Sequence, residues 1–195
     1  MRRRALVLLA LLAAACARPQ EPPPPPPAPT VVPPTVQAPP PPPELCDAIT
    51  AIVRAEQDDY APLRTEPTGP ARWRAAVQPA EFERCEVRGP GEEFPQANLL
   101  CETYEISTLD GLRIPFQRLE DALDGCLLRQ QADGRTWRKA DDIPFGDYGA
   151  QSLWEDPNTW PRSVIVLRVA ESPSLLEPTW WLAMEAKLTR GNRLF

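Results

Sequence analysis

Four cysteines, Cys46, Cys85, Cys101 and Cys126, and a complete lack of histidine set the chemistry open to the body of this 195-residue chain. Without histidine, the commonest general base and the commonest metal ligand are both missing. No CxxC, no GxGxxG and no phosphate-binding loop occurs, so the thiols are better used as disulfides than as zinc ligands. A serine nucleophile would need lysine as its base, yet Lys139 and Lys187 are the only lysines and neither sits in S-x-x-K. Asp133, Asp141, Asp142 and Asp147 lack the spacing of a calcium loop and read as solvated loop carboxylates. No metal and no cofactor is expected. Two carboxylates acting on a glycosidic bond stay open, because that chemistry depends on distance in space, not in sequence.

Around these residues the chain divides by composition. Fifteen of its 27 prolines lie between Pro19 and Pro43. Residues 1–43 carry four of the 21 Lys+Arg and one of the 27 Asp+Glu, which leaves residues 44–195 at −9. An acidic body argues against a nucleic-acid surface, whose affinity rests on basic side chains neutralising phosphates. It allows a basic protein partner. The 152 residues of the body suit a single domain.

Arg2, Arg3 and Arg4 precede an uncharged apolar run from Ala5 to Ala15, eleven residues long. A membrane span needs about 20 apolar residues, so this run matches an export signal over residues 1–15. Its end, "LLAAAC", resembles the lipobox of bacterial lipoproteins, with Ala14 and Ala15 as the small residues before Cys16. The family usually has Leu three positions before the cysteine; here that position is Ala13, and Leu12 is one further back. The resemblance covers about 18 residues. It implies removal of residues 1–15, lipidation of Cys16, and, with Ala17 following, the periplasmic face of the outer membrane. Ala13-Ala14-Ala15 also fits ordinary signal peptidase, which would release a soluble secreted protein. Five cysteines leave an odd thiol in an exported chain, and lipid on Cys16 restores an even four. Residues 16–43 then read as anchor and polyproline spacer, reaching about 75 Å at ~3.1 Å per residue when straight.

Within residues 44–195 the pattern reads α-β-β-α-β-β. Leu45, Ile49, Ile52 and Val53 recur at helical spacing over 44–56, and Phe116, Leu119, Leu123, Cys126 and Leu127 do so over 116–130. Residues 59–79, with five Pro or Gly, read as loop. A hairpin register that pairs Phe82 with Tyr104, Arg84 with Glu102, Cys85 with Cys101 and Val87 with Leu99 collects compatible cross-strand neighbours. Alternation marks strands over 163–170 and 179–189. The expected fold is α+β: an antiparallel sheet of about four strands with two helices on one face. A twofold αββ duplication would suit this order, although no residue-level repeat accompanies it. Four cysteines allow three connectivities; the register favours Cys85–Cys101, which leaves Cys46–Cys126 to clamp the helices.

Residues 131–162 carry Trp137, Phe145, Tyr148, Trp154 and Trp160 in a stretch without an assigned element. Such a length is either functional or misassigned. Tyr148, Trp154 and Trp160 are the candidate partner-binding residues, since aromatic side chains dominate binding hot spots; the bland alternative is that these rings close a small core. The sequence thus points to a non-catalytic binding or assembly module, with a protein or cell-wall partner. Inhibition of a cationic enzyme is one form, and a histidine-free wall hydrolase is the alternative.

Overall fold

A computed structural model of the chain describes residues 43–90, 96–173 and 177–189; the expected export signal, Cys16 and the expected proline spacer up to residue 42 lie outside them. The first helix, α1 (Pro43–Ala55), forms where the apolar spacing places it, and its Leu45, Ile49, Ile52 and Val53 are all buried. Glu44 in its first turn and Arg54 in its last both suit the helix dipole. The second, α2 (Arg113–Asp124), starts three residues before the expected Phe116. Its helical path continues through Gly125–Arg129 as a π-helix, which carries Cys126 and Leu127 into the core.

The strands are β1 (Arg64–Gly69), β2 (Arg72–Ala75), β3 (Arg84–Arg88), β4 (Asn98–Glu102), β5 (Arg138–Gly146), β6 (Gly149–Asp156), β7 (Arg162–Glu171) and β8 (Trp180–Thr189). They form one eight-stranded sheet in the order β1-β2-β3-β4-β8-β7-β6-β5, with every neighbouring pair antiparallel. The expected four-stranded sheet is therefore corrected to eight strands. Two of the added strands lie in residues 59–79 and two in 131–162.

Physical reasons account for the four that periodicity missed. Both β1 and β5 are sheet edges, exposed along most of their length, so neither shows an apolar face. Each edge carries a proline, Pro67 or Pro144, and two register shifts, features that blunt an edge against further pairing. In β6 the buried positions include Ser152, Glu155 and Asp156, which no hydrophobicity count rewards. The expected β3–β4 register is present from Arg84–Glu102 to Arg88–Asn98. The Phe82–Tyr104 pair does not form: Phe82 is buried, whereas Tyr104 is 69% exposed.

Read by connectivity, the fold is α-ββββ twice. The first half, α1 with β1–β4, and the second, α2 with β5–β8, meet where β4 pairs β8, Leu99 opposite Ala186 and Cys101 opposite Met184. That pairing closes what would otherwise be two edges. One face of the sheet supplies Cys85, Val87, Leu99, Cys101, Trp154, Ile165, Leu167, Leu182 and Met184, and the helices pack their apolar sides into the same core. On the opposite, outer face Leu153, Val164 and Val166 form a separate small cluster. Ion pairs surround it: Arg138 and Arg162 on Glu155, Lys187 on Glu185.

Candidate functional site

The two bridges that close are Cys46–Cys126, between α1 and the π-turn after α2, and Cys85–Cys101, across β3 and β4. The aromatic candidates do not assemble. Trp154 faces inward from β6, fully buried, and its indole N–H donates to Asp124 Oδ1 of α2 at 2.7 Å. It is a core residue and is out of reach of any partner on the folded protein. Tyr148 is fully exposed in the turn between β5 and β6, and Trp160 is 70% exposed in the turn between β6 and β7. These turns cap opposite ends of β6, so about 24 Å of strand separates them at ~3.4 Å per residue. Trp137 is buried, and Phe145 packs edge-on against Phe116 with Arg113 over its ring.

Two polar clusters under the helices could, by residue type, do chemistry. In the first, Glu120 of α2 accepts from Lys139 Nζ and from Ser152 Oγ, while Ser152 also lies 3.2 Å from Asp142 Oδ1. A lysine serving as base for a serine must sit below its ordinary pKa. Burial pushes Lys139 that way, but the hydrogen bond and charge of Glu120, together with Asp124 and Asp142, outweigh it and raise the ammonium's pKa. Lys139 therefore stays protonated at neutral pH and holds β5 to α2 as a cation. Asp124 is raised, chiefly by burial, against the opposing pull of Trp154 and Lys139.

In the second cluster Glu56, just after α1, is 1% exposed. It accepts from Ser163 Oγ, from Arg135 Nη1 at 3.1 Å and, weakly, from the Tyr60 hydroxyl at 3.5 Å. Burial dominates and pushes its carboxyl up to about 7, although Ser163 and Arg135 both favour the ionised form. Arg135 is itself held by the Val53 carbonyl and lies near Asp133. Both clusters are closed on their own members. Among the described residues, no group of three or more acids or cysteines stands close enough to hold a metal ion.

A different surface is open. The outer face of β1–β4 forms a groove of about 470 Å³ lined by Arg72, Arg74, Arg84 and Arg88, with Glu86, Glu102, Glu83, Gln78 and Thr68. Strand alternation puts it there: Arg72 stands opposite Arg88, Arg74 opposite Glu86 and Arg84 opposite Glu102, while Trp73, Val87 and Cys101 take the inner face. Glu86 accepts from Thr68 Oγ1 at 2.6 Å and Arg88 Nε at 3.2 Å. Partial burial raises its carboxyl, but those two bonds and the charges of Arg72 and Arg88 outweigh it and hold the group below the usual carboxylate range. Glu102 accepts from Arg84 and from the Trp181 indole.

The four guanidiniums were not singled out by sequence because Arg72 and Arg74 fell in a stretch read as loop. The pattern "RWRA", with charges on alternate residues around a tryptophan, was the available signal. Comparison with protein-family models, curated proteins and solved structures finds no match to this chain.

Proposed function

We propose that this chain is a lipid-anchored protein of a bacterial cell envelope whose body is a non-catalytic binding module on a proline spacer, working through the outer groove of its sheet. The observation that carries the reading is a contrast. The inner polar clusters are consumed by their own hydrogen bonds, whereas in the groove Arg72 and Arg74 touch carboxylates only at 3.8 and 3.4 Å, neither contact being a hydrogen bond. Unspent donors lining a concave surface are what a polar ligand needs.

Export and anchoring rest on the basic start, the short apolar run and Cys16, and the outer-membrane address on the resemblance to lipoproteins. A protein partner would find Tyr148 and Trp160 as separate contact points, and the acidic body suits a cationic one. The wall-hydrolase alternative has one carboxylate pair in its favour, Glu120 and Asp142, but Lys139 ion-pairs with both.

Two measurements test the proposal. Intact mass of the membrane-extracted mature chain should give an acylated chain starting at Cys16; a lipid-free chain would remove the anchor. A photo-crosslinking benzoylphenylalanine in place of Gln78, on the groove, should capture an envelope component in living cells. Labelling no greater than from a position on β7 would remove the groove as the working surface.

A further inference from the structure

We propose that the groove is a site for a phosphorylated sugar, with the phosphoryl group seated between Arg72 and Arg74; this rests on the groove being the working surface. Internal contacts leave two of the groove's arginines over. Glu86 is engaged by Thr68 and Arg88, and Glu102 by Arg84 and Trp181. The guanidiniums of Arg72 and Arg74 make no hydrogen bond among the described residues, and their ion pairs are loose. The lining sets four arginines against three glutamates, and Glu66 also lies on Arg74, so what the two arginines leave over is hydrogen-bond donors, and the ligand's recognised group must be rich in acceptors.

Donor spacing narrows the class. Arg72 and Arg74 are alternate residues of one strand, about 7 Å apart by strand geometry. A phosphomonoester carries about −1.5 to −2 at neutral pH and offers several acceptor oxygens, enough to meet two planar forks. One carboxylate would leave the second fork unanswered. The register adds a further reason. Arg72 stands directly opposite Arg88, and like charges facing each other across strands destabilise a sheet. Glu86 relieves part of that repulsion, and a dianion over Arg72 relieves more.

Size and the rest of the lining argue for a sugar on the phosphate. About 470 Å³ falls in the range of small-molecule sites and exceeds what inorganic phosphate fills. Gln78 spends its amide nitrogen on the carbonyls of Phe82 and Glu83, which turns its oxygen into an acceptor with no partner among the described residues. The Glu83 carboxylate lines the same groove without a hydrogen bond of its own. Two acceptors beyond the arginines suit hydroxyl donors. The acidic body repels anions in general, so any binding has to come from this local geometry.

The test is calorimetric titration of the full mature chain in detergent with glucose 1-phosphate, glucose, glucuronate and inorganic phosphate. Glucose 1-phosphate is expected to bind at least tenfold more tightly than glucose or glucuronate. The double variant Arg72→Gln, Arg74→Gln should lose tenfold or more, while Arg168→Gln, on the outer face outside the groove, should bind as the wild type does. Both arginines are about half exposed or more, so the double variant keeps its thermal unfolding curve. Phosphatidylcholine vesicles with and without lipid A separate two sources of the same chemistry. Binding of free glucose 1-phosphate supports a soluble sugar phosphate, and binding only to lipid A vesicles supports a phosphorylated glycolipid headgroup. Silence in both arms, equal loss in Arg168→Gln, or glucuronate binding as tightly would overturn the assignment. If the Gln78 crosslink still forms in cells, the ligand class alone falls; if that is silent too, the binding-module reading falls with it.

Discussion

Replacing Glu56 by glutamine should make the protein more stable at pH 8 while changing little at pH 5. The folded chain encloses this carboxyl so completely that burial lifts its pKa from an ordinary 4.5 to about 7, despite Ser163 and Arg135 beside it. Between those two values the folded state holds a proton that the unfolded chain has released. The folded state therefore binds more protons, and stability falls as pH rises through that window. Carried through both titrations, the shift makes the wild type about 2–3 kcal/mol less stable at pH 8 than at pH 5 from this group alone. Glutamine has no charge to bury at either pH. Other carboxylates contribute slopes of their own, but they cancel when wild type and Glu56→Gln are compared at each pH. Urea unfolding of the two proteins at pH 5, 6, 7 and 8 should show their difference growing by about 2–3 kcal/mol in favour of the variant. Parallel pH profiles would refute the reasoning. They would mean that Arg135 keeps Glu56 ionised throughout and that the ion pair, not burial, controls the site.

Three further outcomes follow from the packing. The Cys46–Cys126 bridge spans 80 residues and Cys85–Cys101 spans 16, so paired alanine replacements should cost about 4.5 and about 3 kcal/mol respectively, read from urea midpoints; the reverse order would count against loop closure as the cause. Trp154→Ala should lose about 3–5 kcal/mol through the cavity it leaves, whereas Trp160→Ala should stay within about 0.5 kcal/mol in thermal unfolding. Lys139→Met strands Glu120 and Asp142 without their cation and should cost about 1–3 kcal/mol at pH 7; an unchanged urea midpoint would show that solvent screens the cluster.

What could be read ahead of the structure was whatever repeated an apolar spacing or set compatible neighbours across two strands. Both helices and strands β7 and β8 announce themselves because half their positions face one core. The β3–β4 ladder was legible because one register sets Arg84 against Glu102, Cys85 against Cys101 and Val87 against Leu99, and that register in turn favours the Cys85–Cys101 bridge. The edges β1 and β5 carry no such signal, since neither of their faces is buried along its length. The difficulty with β6 is of the opposite kind. It is buried almost throughout, but through Ser152, held by Glu120, Glu155, held by Arg138 and Arg162, and Asp156, which accepts from the Asn158 N–H. Missing β6 is also what made Trp154 look like a loop residue. Once the strand is known, its parity sends Trp154 inward and leaves Tyr148 and Trp160 at the two turns. The groove was hidden for a related reason, because it needs β2 beside β3 before Arg72, Arg74 and Arg88 become neighbours.

The placement of the Cys46–Cys126 bridge also decides how the domain bears tension. Cys46 lies three residues beyond Pro43, so a pull entering from the N-terminal side reaches sulfur within the first turn of α1 and crosses covalently to Cys126. The 80-residue loop between the two sulfurs, which contains the rest of α1, all of β1–β4 and the whole arginine groove, is bypassed by that load path. Under stretching, the chain would extend through β5–β8 while the first half carried no force along its backbone. A ligand seated on the groove would be held by the mechanically sheltered part of the molecule.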